Sequence, residues 1–545
     1  MTTKNIRIII GQLNFTVGDI EGNTEKIIKA IKKANEKYDA DIIIFPELSI
    51  CSYPPEDLLL RPAFNKLIKV ALEKIKSETK GIHVILGYPL KKDEKLYNAC
   101  SLIHEQKIEK TYCKQYLPNY GVFDEKRYFT SGNDSCTFEI KGITAALTIC
   151  EDLWASKPIT DAAAANAKIL FNINASPYDK NKNNERKNLI SKRASEASMH
   201  VVYVNLVGGQ DELIFDGNSM IFDKKGEMIF QSPEFEEGLY EAEINIEGIE
   251  NKKELKKEND LYLTEEKSIY KALVFGVKDY VEKNNFQGVV VGLSGGIDSA
   301  LTLCIAVDAL GSKNVEALIM PSRYTSKMST DDACVLAKKL KVEYKIISIE
   351  APFSAFLQSL EPVFKKLPMD TTEENIQARI RGVLLMAISN KYSKLVLATG
   401  NKSEMSVGYA TLYGDMAGGY SPLKDVWKTL VYRLAKWRNK EQEVIPENII
   451  DRPPTAELRD NQLDRDSLPD YEILDPILEQ YIELDHHPEE IIKNGFDKEI
   501  VYEIISLVDK NEYKRRQAAP GIRITEKAFG KDRRYPISSG YIEKK

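Results

Sequence analysis

A chain of 545 residues is too long for one ordinary domain, and 43% hydrophobic with 29% charged residues is the balance of a globular protein with at least two cores. A net charge of −6 supplies no general attraction for nucleic acid or anionic lipid, so neither is expected as a partner and any phosphate must be bound locally. No apolar run approaches the roughly 20 residues of a membrane span, and the opening MTTKNIRIII lacks the basic start, apolar stretch and cleavage site of a secretory signal, which points to the cytoplasm.

The seven cysteines are odd in number and include no C-x-x-C pair, against a disulfide framework or a structural zinc site. The five histidines show no metal-ligand or triad spacing, so the chemistry is expected to run without histidine.

From residue 6 to about 240, short Ile/Val-rich runs alternate with amphipathic segments: IRIIIGQLNF, a helix near 23–38, ADIIIFPE, HVILGYP, ITAALTIC, a small Ala-rich helix, AKILFNINAS, a helix near 183–199, and HVVYVNLVGG. Several of these strands are nearly continuous in apolar residues, as expected when both faces of a sheet are covered. An α/β layered domain over 1–250 follows. The stretch around 251–263 is charged and poor in large apolar residues, which suits a linker to a second domain over 264–545.

The second domain opens with a helix at 264–284. A strand, a Gly/Ser-rich turn and a helix then follow in quick succession in QGVVVGLSGGIDSALTLCIAVDAL, and VEALIM, YKIISIE and KLVLAT read as further strands between helical stretches. That order implies βαβ crossovers and a doubly wound parallel sheet. After 440 no clear periodicity returns until a helix at about 496–517.

In GLSGGIDSA the turn aims backbone N–H groups and a helix N-terminus at one point, which suits an anion. Gly292, Leu293, Ser294, Gly295, Gly296 and Ser299 would cradle phosphate, while Asp298 adds a carboxylate suited to Mg²⁺. The lysine of a Walker A loop is missing, against ordinary transfer of a terminal phosphoryl group. The string resembles the loop of N-type ATP pyrophosphatases, which adenylate a substrate and release pyrophosphate; GMP, asparagine and NAD synthetases are members.

Three further segments are similar to glutamine-dependent NAD synthetases. In T-G-N-K-S-E the resemblance implies Thr399 for ATP and Glu404, with Asp298, for Mg²⁺. In NIQARIRGVLLMAISN it places Arg379 and Arg381 at the dinucleotide substrate. Asp415, Lys428 and Lys514, the last opening KRRQAAPGIRIT, match further positions for deamido-NAD⁺ or phosphate, with Glu404 shared between substrate and metal. Read without the family, these charges are ordinary solvated side chains.

The first domain resembles the nitrilase superfamily in three signatures, in order: Glu47 in F-P-E, Lys114 before L-P-N-Y-x-V-F-D-E, and Cys150 in C-E-D. The resemblance implies an α-β-β-α sandwich and a glutaminase in which Cys150 attacks the γ-amide, Glu47 moves the proton and Lys114 holds the oxyanion, giving glutamate and ammonia. These residue types suit the step, because a thiol with a pKa near 8.5 needs a base and the developing oxyanion needs a cation. Glu125 matches a second glutamate that supports the triad and is grouped with Tyr120, Trp154 and Ser176, which match positions around the glutamine, and either Arg186 or Lys182 is left to meet its carboxylate. Cys51, beside Glu47, has no such company and reads as a packing residue; alone, Cys150 would read the same way.

Together the resemblances imply ATP and Mg²⁺ as reactants, deamido-NAD⁺ and glutamine as partners, and a homo-oligomer, often an octamer built on synthetase dimers. Since free ammonia is protonated in neutral water, the chemistry also calls for a protected passage between domains. Two other classes stay open: an amidotransferase using the same loop on a different carboxylate, and a non-catalytic binder with degenerate domains.

Overall fold

The computed structural model describes residues 5–246, 263–365, 367–460 and 462–541. The chain divides into two compact units, Met1–Leu263 and Thr264–Lys545. The linker expected at 251–263 lies, apart from Leu263, outside the described residues.

The first unit carries two six-stranded sheets. One runs, in spatial order, Gly238–Asn245, Asn5–Gln12, Ile42–Ile44, His83–Lys92, Lys95–His104 and Lys107–Cys113; the other runs Met228–Gln231, Met220–Phe222, His200–Asn205, Ile169–Asn174, Ile143–Ile149 and Thr137–Ile140. Side chains alternate across a strand, so one isoleucine run serves two cores. Ile9, Ile43 and Val84 pack under helices Ile20–Tyr38 and Pro62–Glu78. Their neighbours Ile8, Ile10, Ile42, Ile44 and Ile85 face Leu147, Ile149, Phe171 and Val202 of the second sheet. The outer face of that sheet, with Leu170, Val201 and Tyr203, is covered by Ile159, Ile190 and Ala194 from helices Ser156–Ala164 and Lys182–Ala197. The result is the α-β-β-α sandwich, and each fully buried Ile or Val contributes about 1.5–3 kcal/mol.

The hairpin Lys95–His104/Lys107–Cys113 has no clear signal in the sequence. Its two turn residues, Glu105 and Gln106, take φ of 45° and 61° without the Asn-Gly or Asp-Gly pair that usually announces such a turn, and its outer strand is mostly exposed.

In the second unit four parallel strands stand in the order Glu343–Ile346, Val315–Ile319, Val289–Gly292, Leu395–Leu397. The first strand in the chain, Val289–Gly292, therefore has its successor on one side and the last strand on the other. The crevice at that reversal, at the carboxyl ends of the strands, is where such sheets take ligands. The tail is more helical than its sequence suggests, with Glu447–Asp451, Tyr471–Leu478 and Pro488–Lys493 ahead of the expected helix. That helix is itself divided into Lys498–Lys510 and Glu512–Arg515. The break falls at Asn511, whose side-chain amide donates to the carbonyls of Leu507 and Val407. Among the described residues no helix is long and apolar enough to cross a membrane.

Candidate active sites

In the first unit Glu47, Lys114 and Cys150 each follow the end of a strand: Ile42–Ile44, Lys107–Cys113 and Ile143–Ile149. Lys114 Nζ lies 2.8 Å from Glu47 Oε1 and 2.8 Å from Glu125 Oε1, with all three residues buried. Asn98 donates to Glu47 Oε1 at 2.6 Å, and the Ala175 N–H donates to Glu47 Oε2 at 2.9 Å. Gly87 permits this approach, because a Cβ there would stand 2.6 Å from the Leu48 nitrogen and 3.0 Å from Glu47 Cα.

Burial works against the Lys114 charge, but Glu125 and Glu47 outweigh it and hold the ammonium well above its ordinary value. Burial pushes the Glu125 carboxyl up to about 7, Lys114 opposing and Glu47 adding. The Cys150 thiol is raised well above its ordinary value by burial, with Glu47 adding and Lys114 opposing. The resting thiol is therefore protonated at neutral pH and needs a base to become a nucleophile.

Cys150 opens a 3-10 turn with φ of 46°, a conformation disfavoured without glycine and held only by surrounding contacts. Asp152 supplies them. One of its oxygens accepts the Ile149 N–H at 3.1 Å and the Tyr112 hydroxyl at 2.8 Å; the other accepts the N–H groups of Gln115 and Tyr116 at 3.0 and 2.8 Å. The second carboxylate after Cys150 thus ties its turn to the segment that carries Lys114. The first, Glu151, accepts from the Tyr120 hydroxyl at 3.1 Å.

Tyr120 and Trp154 are substantially exposed, whereas Glu125 lies inside with Lys114 rather than beside them. Ser176 follows the strand Ile169–Asn174, and its Oγ accepts from Arg186 Nε at 3.2 Å. The rest of the Arg186 guanidinium is spent on both Asp216 oxygens and the carbonyls of Ser176 and Pro177. Lys182 is the accessible cation, its ammonium 4.7 Å from the Trp154 ring and 2.9 Å from Glu185. Cys51 is fully buried, its thiol raised by burial and donating to the backbone carbonyls of Leu48 and Ser52, which suits a packing residue.

In the second unit a cavity of about 300 Å³ is lined by Gly292, Leu293, Ser294, Gly295, Gly296, Asp298 and Ser299, by Thr399, Glu404, Asp415 and Lys428, and by Arg381. The loop is braced from inside: the N–H groups of Ser294 and Gly296 donate to Ser299 Oγ at 3.2 Å and Ser294 Oγ at 3.1 Å. Gly295 has φ of 85°, and a Cβ on it would meet the Ser329 carbonyl at 2.3 Å.

Lys428 is buried and paired with Asp298 and, at 3.4 Å, with Glu404. Asn401, unmarked by sequence reasoning, joins the two carboxylates: its amide donates to Asp298 at 3.0 Å, and its Oδ1 accepts the Glu404 N–H at 3.0 Å. Burial raises the Glu404 carboxyl to about 8, Lys428 opposing and Asp298 and Asp464 adding. Asp464, also unmarked by sequence reasoning, lines the cavity with one buried oxygen that has no hydrogen-bond partner. Three carboxyl groups beside one ammonium, one of them with an unpartnered buried oxygen, supply the oxygen donors that a divalent cation such as Mg²⁺ takes.

The structure does not bring Arg379 to this cavity; it is exposed, with Nε on the Leu412 carbonyl at 3.2 Å, and Arg381 lines the wall instead. Lys514 also stands off the lining and holds the carbonyls of Gly408 and Ala410 at 2.7 and 2.9 Å, steadying the loop whose Tyr409 and Ala410 face the cavity.

Residues 7–254 match the carbon-nitrogen hydrolase family model and residues 269–518 the NAD synthase model. The chain is 47% identical to a glutamine-dependent NAD(+) synthetase from Acinetobacter baylyi over 541 residues, covering 99% of each chain. It superposes with TM-score 0.79 and 44% identity on a glutamine-dependent NAD+ synthetase from Acinetobacter baumannii solved with adenosine diphosphate, covering 99% of this chain and 100% of that one. A glutamine-dependent NAD(+) synthetase from Cytophaga hutchinsonii, at 24% identity and TM-score 0.85 over 98% of each chain, shows the same fold.

Proposed function

Because the chain belongs to the family of glutamine-dependent NAD(+) synthetases, we propose that it hydrolyses glutamine at the Cys150 site and uses the ammonia, with ATP, to amidate deamido-NAD⁺ at the cavity of the second unit. The observation that carries this reading is the coexistence of two candidate sites on one chain. One is a buried Glu–Lys–Glu cluster beside a cysteine; the other is a glycine-rich loop at a sheet's switch point.

At the first site Glu47 accepts the thiol proton as Cys150 attacks the γ-amide carbon. Lys114, held by two carboxylates, stabilises the oxyanion. Glu47 then gives the proton to the departing ammonia and activates the water that hydrolyses the γ-glutamyl thioester. Asn98 and the Ala175 N–H keep Glu47 aimed. Tyr120, Trp154 and Ser176 surround the amino-acid part of glutamine, and Lys182 takes its carboxylate, since Arg186 has no donor left to offer.

At the second site the loop from Gly292 to Ser299 receives the pyrophosphate part of ATP through its N–H groups and serine hydroxyls, and Thr399 meets the nucleotide. Asp298 and Glu404 would hold Mg²⁺, which neutralises phosphate charge when bound. Lys428 and Arg381 meet phosphate or the nicotinate carboxylate; Asp415 faces the dinucleotide, with Lys514 supporting its loop. The carboxylate displaces pyrophosphate to form an acyl adenylate, and ammonia displaces AMP to form the amide. A homo-oligomer is supported by Phe356, Val363, Val383 and Met386, which helices Glu350–Phe364 and Thr371–Tyr392 leave exposed.

The test is pyrophosphate release from ATP with ammonia as donor. Deamido-NAD⁺ should trigger it and other carboxylates, such as aspartate, should not. Release triggered by another acid alone would assign the chain a different substrate.

A further inference from the structure

The first sheet carries a cluster of donors that neither reaction uses. His83 opens the strand His83–Lys92 and His104 closes Lys95–His104, one step beyond the paired residues Val84 and Ile103. Their rings stack, centroids 3.9 Å apart and planes 8° from parallel. On the next strand the register shifts between Leu102 and Ile103, which leaves Glu109 as the extra residue of a bulge. Bulges re-aim side chains, and this one turns Glu109 Oε1 to within 3.1 Å of His104 Nδ1. The ligating atoms of His83, His104 and Glu109 all lie within 4.8 Å of one another.

His83 Nδ1 faces the Asp41 carbonyl at 3.2 Å. A carbonyl can only accept, so Nδ1 carries the proton and Nε2 presents the lone pair. This is how metal-binding imidazoles are usually held, one nitrogen fixed by an oxygen acceptor and the other offered to the ion. We propose that His83, His104 and Glu109 form a site for a divalent transition-metal ion of the Zn²⁺ class, with water completing the coordination. Two imidazoles and a carboxylate suit zinc, nickel or copper, whereas Mg²⁺ and Ca²⁺ prefer oxygen donors alone.

A tetrahedral zinc with ligands at 2.0–2.2 Å needs its donors about 3.3 Å apart, so the rings must tilt out of their stack to share one ion. Rotation about the Cβ–Cγ bond of histidine is soft, and His104 and Glu109 are partly exposed. The charged groups nearby are mostly acidic: Glu109, Glu105 at 3.8 Å from His104 Nε2, and Asp41, which is itself paired with Lys141.

The experiment is equilibrium dialysis of the full-length protein against micromolar Zn²⁺ without Mg²⁺ or ATP, comparing the native chain with His104→Ala and Glu109→Gln. Thiols and the Asp298/Glu404 pair are common to all three proteins, so the difference between them isolates this cluster. The native chain should retain one more Zn²⁺ per chain than His104→Ala, and should release it as pH falls to 5.5. Glu109→Gln should bind it more weakly, by about 10- to 100-fold. Glutamine-dependent activity, unchanged in both variants, verifies that each is folded. Equal zinc on the native chain and folded His104→Ala, or a native chain that holds none there, overturns the proposal.

Discussion

Lys114 sits between two carboxylates, and it is the second, Glu125, that sets the pH behaviour of the first site. Glu125, raised to about 7 by burial, shares the Lys114 ammonium with Glu47, so its charge appears only near neutral pH. A carboxyl raised in the folded state favours folding below its unfolded value near 4.5, and that contribution is lost as pH rises through 7. The proposed reaction has the opposite demand, because an ionised Glu125 is the second anchor on the Lys114 ammonium that would hold the oxyanion. Glutaminase kcat/KM should therefore rise from pH 6 to 8 along a limb centred near 7. In Glu125→Gln the carboxyl raised to about 7 is gone, so the limb should disappear, while the plateau drops on the order of 100-fold as Lys114 loses an anchor. A pH-rate profile of the variant that keeps the native limb would show that Glu125 is not the titrating group. Glu47, Lys114 and Cys150 were legible in the sequence because each stands in a distinctive string after an apolar strand. Asn98 and Asp464 were not, since a lone polar residue on a strand or in a loop looks the same whether it faces solvent or a carboxylate.

At the level of elements, the glycine-rich turn and the buried Arg186–Asp216 pair make separable predictions. Gly295→Ala pushes a Cβ against the Ser329 carbonyl and forces a residue with a side chain into φ of 85°. Ammonia-dependent amide formation should fall at least 100-fold, as when preorganised donors to a reacting anion are misplaced, and glutamine hydrolysis should be spared. Loss of both activities in step would point to general unfolding. Arg186→Ala removes one partner of a fully buried ion pair and strands Asp216, at a cost of about 3–5 kcal/mol. Thermal unfolding of the first unit should come at lower temperature while ammonia-dependent activity survives; an unmoved transition would mean that the pair is dispensable. Most parallel strands of both units could be read from their nearly unbroken apolar runs, which burial on two faces requires; the edge strand Glu343–Ile346 is polar and half exposed. The hairpin ending at Cys113 and the helices between 447 and 493 could not, because their short, charged segments gain order from what they pack against.

For the molecule as a whole, the two sites are useful together only if ammonia reaches the acyl adenylate before it is protonated and lost. Glutamine hydrolysis should therefore quicken when ATP and deamido-NAD⁺ are bound, and a rate indifferent to both would mean that the sites run independently. In the proposed division of labour Cys150 frees ammonia and the loop from Gly292 to Ser299 uses it. The most direct test is amide formation from deamido-NAD⁺, ATP and Mg²⁺ by the native chain and by Cys150→Ala, each supplied with glutamine or with ammonia. The account predicts a variant that has lost the glutamine reaction and kept the ammonia reaction; a variant that still uses glutamine would contradict it and leave Cys150 a buried thiol of the core.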